Sequence, residues 1–136
     1  MASLAIRVGA LALRNPVVCA SGEHVMTEAG IRAALAQGVA VVVAKSTNES
    51  QPARAQLSQA DYATYGADWR ARDWHAAGDA SVLCRSGLQP RAAEEWLGAI
   101  AALDREAGTQ GAYVAASLIL ANLDEAVRLA RAAESA

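Results

Sequence analysis

An α/β fold with a parallel sheet is what this sequence predicts, on three observations. The run Val39-Ala40-Val41-Val42-Val43-Ala44 is apolar without alternation, as in a parallel strand buried on both faces. Short apolar runs then alternate with stretches whose apolar residues recur at helical spacing. The first such unit, strand–helix–strand, fits into about thirty residues, the length of a βαβ crossover.

Residues 3–13 alternate loosely around Gly9, which predicts a small hairpin within segment 1–14, Leu4 to Val8 against Leu11 to Leu13. Asn15-Pro16 stops it, because proline cannot continue a ladder and holds its predecessor extended. Val17-Val18-Cys19-Ala20 predicts a short buried strand closed by Ser21-Gly22. Thr27 is placed to cap a helix over 28–37, with Ile31, Ala34 and Leu35 inward and Gly38 just past its end. The apolar strand 39–44 follows at once.

Residues 47–80 break this rhythm. The stretch is polar, carries Tyr62, Tyr65, Trp69 and Trp74, and is too long for an ordinary connection. It predicts an insertion or lid loop packed by its aromatic residues, with a short helix near 58–63. Ser81-Val82-Leu83-Cys84 reads as a short extended piece. Pro90 suits the first turn of a helix over 91–106, whose inward stripe is Trp96, Leu97, Ile100 and Leu103. Residues 112–118 predict a third buried strand. Asn122 with Glu125 forms a capping box for a last helix, with Leu123, Ala126, Val127 and Ala130 inward.

With 136 residues the chain makes one domain, and 54% apolar against 19% charged residues is enough to build a core and excludes disorder. A net charge of −2 without a basic run argues against nucleic acid as a partner. No segment approaches the roughly 20 apolar residues of a membrane span, so the expectation is a soluble protein that binds no membrane. Cys19 and Cys84 are isolated thiols, which suits a reduced, cytoplasmic setting. His24 lies near Cys19, but two ligands do not make a metal site, and a structural role is expected.

Lys45 is the only lysine beside eleven arginines, and it stands where the apolar strand ends, followed by Ser46 and Thr47. Sites of α/β proteins gather at that carboxyl end of the strands. Two readings are open: an ammonium snorkelling to water, or a compact cation serving a ligand.

Asn15-Pro16-Val17-Val18-Cys19-Ala20-Ser21-Gly22 resembles the first strand of the dihydroorotate dehydrogenase and dihydropyrimidine dehydrogenase family of FMN-dependent barrels. Leu11-Ala12-Leu13-Arg14 resembles the approach to that strand, Ala44-Lys45-Ser46-Thr47 the end of the family's second strand, and Val114-Ala115-Ala116-Ser117-Leu118-Ile119 its third. The matches run over nearly all of this chain and less than half of the family's barrel. The resemblance implies the N-terminal portion of a (β/α)8 TIM barrel, a leading hairpin and about three βα units, incomplete in this chain. It also implies FMN as cofactor, held by Ala20, Ser21, Gly22, Lys45 and Ser46. The activity implied is hydride transfer between flavin N5 and a carbon–carbon bond of a small, anionic substrate. Lys45, Cys84, Ser86, Gly87 and Leu88 would line that substrate's site, Cys84-Arg85-Ser86-Gly87-Leu88 matching the family's N-S-M-G-L loop.

Two departures matter. Cys84 stands where the family has an asparagine, and a thiol lacks the amide's paired donor and acceptor. This disfavours dihydroorotate itself, and Cys84 also reads as a small buried hydrophobe. A barrel needs roughly 250 residues, and the family's general base and flavin-phosphate site belong to its later strands. The expectation is that this chain holds no catalytic residue alone, and that a second chain or a missing segment supplies the rest, giving a homo- or hetero-oligomer. Two other readings remain: a non-catalytic half-barrel assembly subunit, and a free-standing flavodoxin-like α/β domain.

Overall fold

The computed structural model describes residues 3–56, 61–76, 78, 80–119 and 122–135. In chain order its elements are β1 (Ile6–Val8), β2 (Leu11–Leu13), β3 (Val18–Cys19), α1 (Glu28–Ala36), β4 (Val41–Val43), α2 (Gln51–Gln56), β5 (Asp61–Tyr65), β6 (Ala71–Arg72), β7 (Ser81–Arg85), α3 (Ala93–Gly108), β8 (Tyr113–Ala115) and α4 (Leu123–Ser135). Single 3₁₀ turns stand at Glu23–Val25 and Trp74–Ala76. The fold is mixed α/β, with three small sheets and no closed barrel among the described residues.

The central sheet is parallel, in the order β3-β4-β8, so each strand lies beside its predecessor in the chain. A flavodoxin-like sheet would put its first strand between the second and third, and that order is not seen. Val42 and Val114 point into a core shared with Ile31 and Leu35 of α1, Trp96, Leu97, Ile100 and Leu103 of α3, and Leu129 of α4. The expected stripe of α3 is buried along its whole length. Thr27 caps α1 as expected, its Oγ1 accepting from Gly30 N at 3.1 Å, and Gly38 follows with φ +88, a conformation that side chains with a Cβ rarely adopt.

The antiparallel hairpin β1–β2 pairs Ile6 with Leu13 and turns at Gly9, φ +57. Arg14 then fastens it to the amino-terminal end of the parallel sheet. Its Nη2 donates to Val39 O at 2.7 Å and to Leu35 O at 3.1 Å, satisfying a carbonyl at the end of α1. Asn15 Nδ2 donates to Gly38 O at 2.8 Å. Arg14→Ala should therefore cost about 1.5–3 kcal/mol, the range for hydrogen bonds to a charged group. A lower urea midpoint with an unchanged slope would be the signature.

Five expectations need correction. The strand at 17–20 is not buried: Val17 and Val18 are 53% and 52% exposed, because β3 is an edge with a neighbour on one side only. Part of 47–80, expected as an insertion or lid loop, is regular sheet. β5 pairs antiparallel with both β6 and β7, a ribbon favoured by its β-branched and aromatic residues. The helix expected near 58–63 is a strand from Asp61 onward, and 57–60 lie outside the described residues. The helix expected from 91 begins at Ala93, since Gln89 holds the preceding segment extended: its N–H donates to Ser46 O, its Nε2 to Met26 O, and its Oε1 accepts from Arg91 N. Finally, α4 buries Ala126 and Leu129, while Leu123 and Val127 stand 70% and 43% exposed. An exposed ion pair between Arg128 and Glu94, 2.7 Å, links α4 to α3. Asn122 Oδ1 caps α4 through Asp124 N and Glu125 N, and Asn122 N donates to Glu49 Oε1.

Candidate functional site at the carboxyl rim of the parallel sheet

The parallel ladder between β4 and β8 changes phase just beyond Val43. Val43 is level with Ala115, but Thr47 is level with Leu118, so the first chain spends one residue more than the second. Ala44 N and Thr47 N donate to Ala115 O and Ser117 O, both at 2.9 Å, and Lys45-Ser46 bulges between them. Three backbone groups released by the bulge find partners elsewhere. Lys45 N donates to Val25 O, Trp96 Nε1 donates to Lys45 O at 2.9 Å, and Gln89 N donates to Ser46 O.

The bulge aims the Lys45 side chain into a polar cluster. Its Nζ donates to Glu23 Oε1 and to Ser86 Oγ, both at 2.8 Å, and Ser86 Oγ donates to the same Glu23 oxygen, also at 2.8 Å. Lys45 is 3% exposed and Glu23 29% exposed, so this ammonium is matched by a carboxylate rather than snorkelling to water. Burial pushes the Glu23 carboxyl up. The hydrogen bonds from Lys45 and Ser86, the Lys45 charge and the Gly87 N–H outweigh that, leaving it below the usual carboxylate range.

Beside the bulge, Ser46 Oγ lies 2.8 Å from Ser117 Oγ and 3.3 Å from Ser21 Oγ. A row of three hydroxyls thus follows the carboxyl ends of β3, β4 and β8. Ala20 is exposed, while Ser21 and Gly22 are half-buried. Gly22 has its own reason to be small: a Cβ there would stand 2.9 Å from His24 Cε1. His24 Nε2 in turn lies 3.1 Å from Cys19 Sγ. Among the described residues no group of three or more metal-ligating side chains occurs.

Of the residues singled out from sequence, Ser21, Lys45, Ser46, Ser86 and Gly87 come together here. Cys84 and Leu88 do not. Leu88 is buried in the packing. Cys84 is exposed rather than a buried hydrophobe, because it stands on β7 directly opposite Tyr62 of β5. Its hydrogen bond to Tyr62, then burial and the nearby charges of Cys84 and Glu23, hold the Tyr62 phenol above its ordinary value. Glu23 and Ser117 were missed. Ser117 carried a signal, as the hydroxyl ending the third predicted strand; Glu23, in a 3₁₀ turn with no periodicity, carried none.

The cavity of about 230 Å³ between α3, α4 and β8 lies away from this rim, lined by Leu97, Ile100, Val114 and Ala133 among others. It is a gap in helix packing that Asp104 and Arg105 also line, Asp104 Oδ1 accepting from Val114 N. A shallow cleft of about 370 Å³ along Tyr62, Leu83, Cys84 and Arg85 is nearer in character to a ligand surface. No protein-family model matches this chain, and no curated protein matches it either. No described helix is long and apolar enough to cross a membrane.

Proposed function

We propose that the chain is the flavin-binding, N-terminal part of an FMN-dependent oxidoreductase of the dihydroorotate dehydrogenase type, acting on a carbon–carbon bond of a small molecule. The observation that carries this reading is the single rim joining Ser21, Ser46, Ser117 and Lys45 at the ends of three consecutive parallel strands. The donor chemistry fits one edge of an isoalloxazine ring: hydroxyls able to give or accept a hydrogen bond, an ammonium, and the small exposed Ala20 for close approach. FMN, when bound, supplies hydride chemistry at N5.

In this reading the chain's own residues orient and polarise. Ser21, Ser46 and Ser117 form a prearranged hydroxyl row, so little reorganisation accompanies binding. Lys45 places positive charge at the same rim, and Glu23 with Ser86 fixes its rotamer. In the same reading the β5–β6 part of the ribbon would lie over the mouth as a lid. Proton transfer and the remaining wall of the barrel are assigned to further polypeptide, in one chain or in a homo- or hetero-oligomer. The open edge of β3, with Val17 and Val18 uncovered, is consistent with such a neighbour.

Purified native protein is expected to show flavin absorption in the visible and to titrate with FMN by quenching of flavin fluorescence. Lys45→Met should weaken FMN binding at least tenfold, about 1.4 kcal/mol. Intact flavin binding and turnover in that variant would remove the reading. Native mass measurement would identify any polypeptide that completes the sheet.

A further inference from the structure

We infer that Glu23 sets the charge of the ligand at this rim: the site takes an uncharged small molecule bearing a carbonyl oxygen and rejects a carboxylate. This rests on the reading of the rim as a ligand site, and it replaces the anionic substrate expected from sequence.

The inference starts from how Lys45 is spent. Of its three N–H donors, one goes to Glu23 Oε1 and one to Ser86 Oγ. That leaves one for a ligand, and the positive charge behind it is already balanced at 2.8 Å. A neutral carbonyl can use the remaining N–H without disturbing the pair. A carboxylate would instead share one ammonium with Glu23, and two like charges around one partner disfavour each other. Among the described residues, Arg85, Arg91 and Arg54 each have other partners. Arg85 faces Asp61 at 3.7 Å, and Arg91 is paired with Glu28 at 3.0 Å. Arg54 Nη1 donates to the carbonyls of Asn48 and Glu49.

Glu23 is held on several sides, which makes it a fixed part of the site. Ser86 and the Gly87 N–H both donate to it, besides Lys45. Both residues belong to the segment that follows β7, so the exclusion of anions is built from three separate stretches of chain: the turn after β3, the bulge of β4 and the end of the ribbon.

Acetate and acetamide, nearly identical in shape and different in charge, serve as probes. Their binding is followed by the amide resonances of Ser46, Ser86 and Gly87 in the 136-residue protein. In the unaltered protein acetamide should bind at least tenfold tighter than acetate, and Glu23→Gln should gain at least tenfold in acetate affinity. Glu23→Asp, which keeps the charge, should still reject acetate. Acetate binding the unaltered protein as tightly as acetamide would overturn the inference, whether or not Glu23→Gln folds. An equal acetate affinity in the unaltered protein and a folded Glu23→Gln would overturn it too. FMN titration is read separately. Loss of flavin binding with the acetamide preference intact would defeat the flavin reading alone, and the converse would defeat only the charge rule.

Discussion

Trp96→Ala is expected to destabilise the protein by about 3–5 kcal/mol, the range for emptying a large aromatic site in a core. Trp96 is fully buried in the first turn of α3, within the core shared by the parallel sheet and the helices. Its indole also has a second task, donating to Lys45 O at 2.9 Å where the bulge pulls that carbonyl out of the ladder. Trp96→Phe separates the two. It keeps most of the apolar contact and leaves a buried carbonyl without a donor, at a cost of about 1–3 kcal/mol. Denaturation by urea gives both costs. If Trp96→Phe is neutral, the bulge is not held by the indole.

Lys45→Met is expected to cost about 1–3 kcal/mol of stability, besides its effect on ligand binding. This lies below the cost of breaking a fully buried pair because Glu23 retains some contact with water. The effect should depend on pH, and its sign follows from Glu23. The folded-state pKa of Glu23 lies below the ordinary carboxyl value. The pair therefore contributes fully above that ordinary value and is lost as pH falls through the lowered one. The stability difference between the unaltered protein and Lys45→Met should be largest near neutrality and shrink on acidification. A difference that stays constant to low pH would mean that the Glu23 charge is not what the ammonium stabilises.

Much of the parallel half was legible in the residues because its signals are local. Thr27 and Gly38 bracket α1, the unbroken apolar run marks β4, and the spacing of Trp96, Leu97, Ile100 and Leu103 marks the inner face of α3. What was not legible depends on partners far along the chain. Val17 and Val18 have the composition of buried residues, and only the sheet order makes them an edge. Leu123 and Val127 lie on a plausible inner stripe, yet α4 turns Ala126 and Leu129 into the core, with an exposed pair between Arg128 and Glu94 beside them. Lys45 and Ser46 were found because a polar group ending an apolar strand is conspicuous in one dimension. Glu23 was not, because its meaning comes from an ammonium and a serine distant in sequence. The β5–β7 ribbon did leave a trace in the alternation of Tyr62-Ala63-Thr64-Tyr65, which the polar composition of 47–80 obscured.

The extra residue that β4 spends against β8 has a bearing on how such a protein tolerates insertions and deletions. Shortening the chain by one position at 45 or 46 would give a more regular hydrogen-bonded ladder and, by that very repair, rotate the polar groups out of register with Glu23 and Ser117. Here the meeting of these polar groups is encoded in chain length as much as in residue identity, and a tidier backbone would part them.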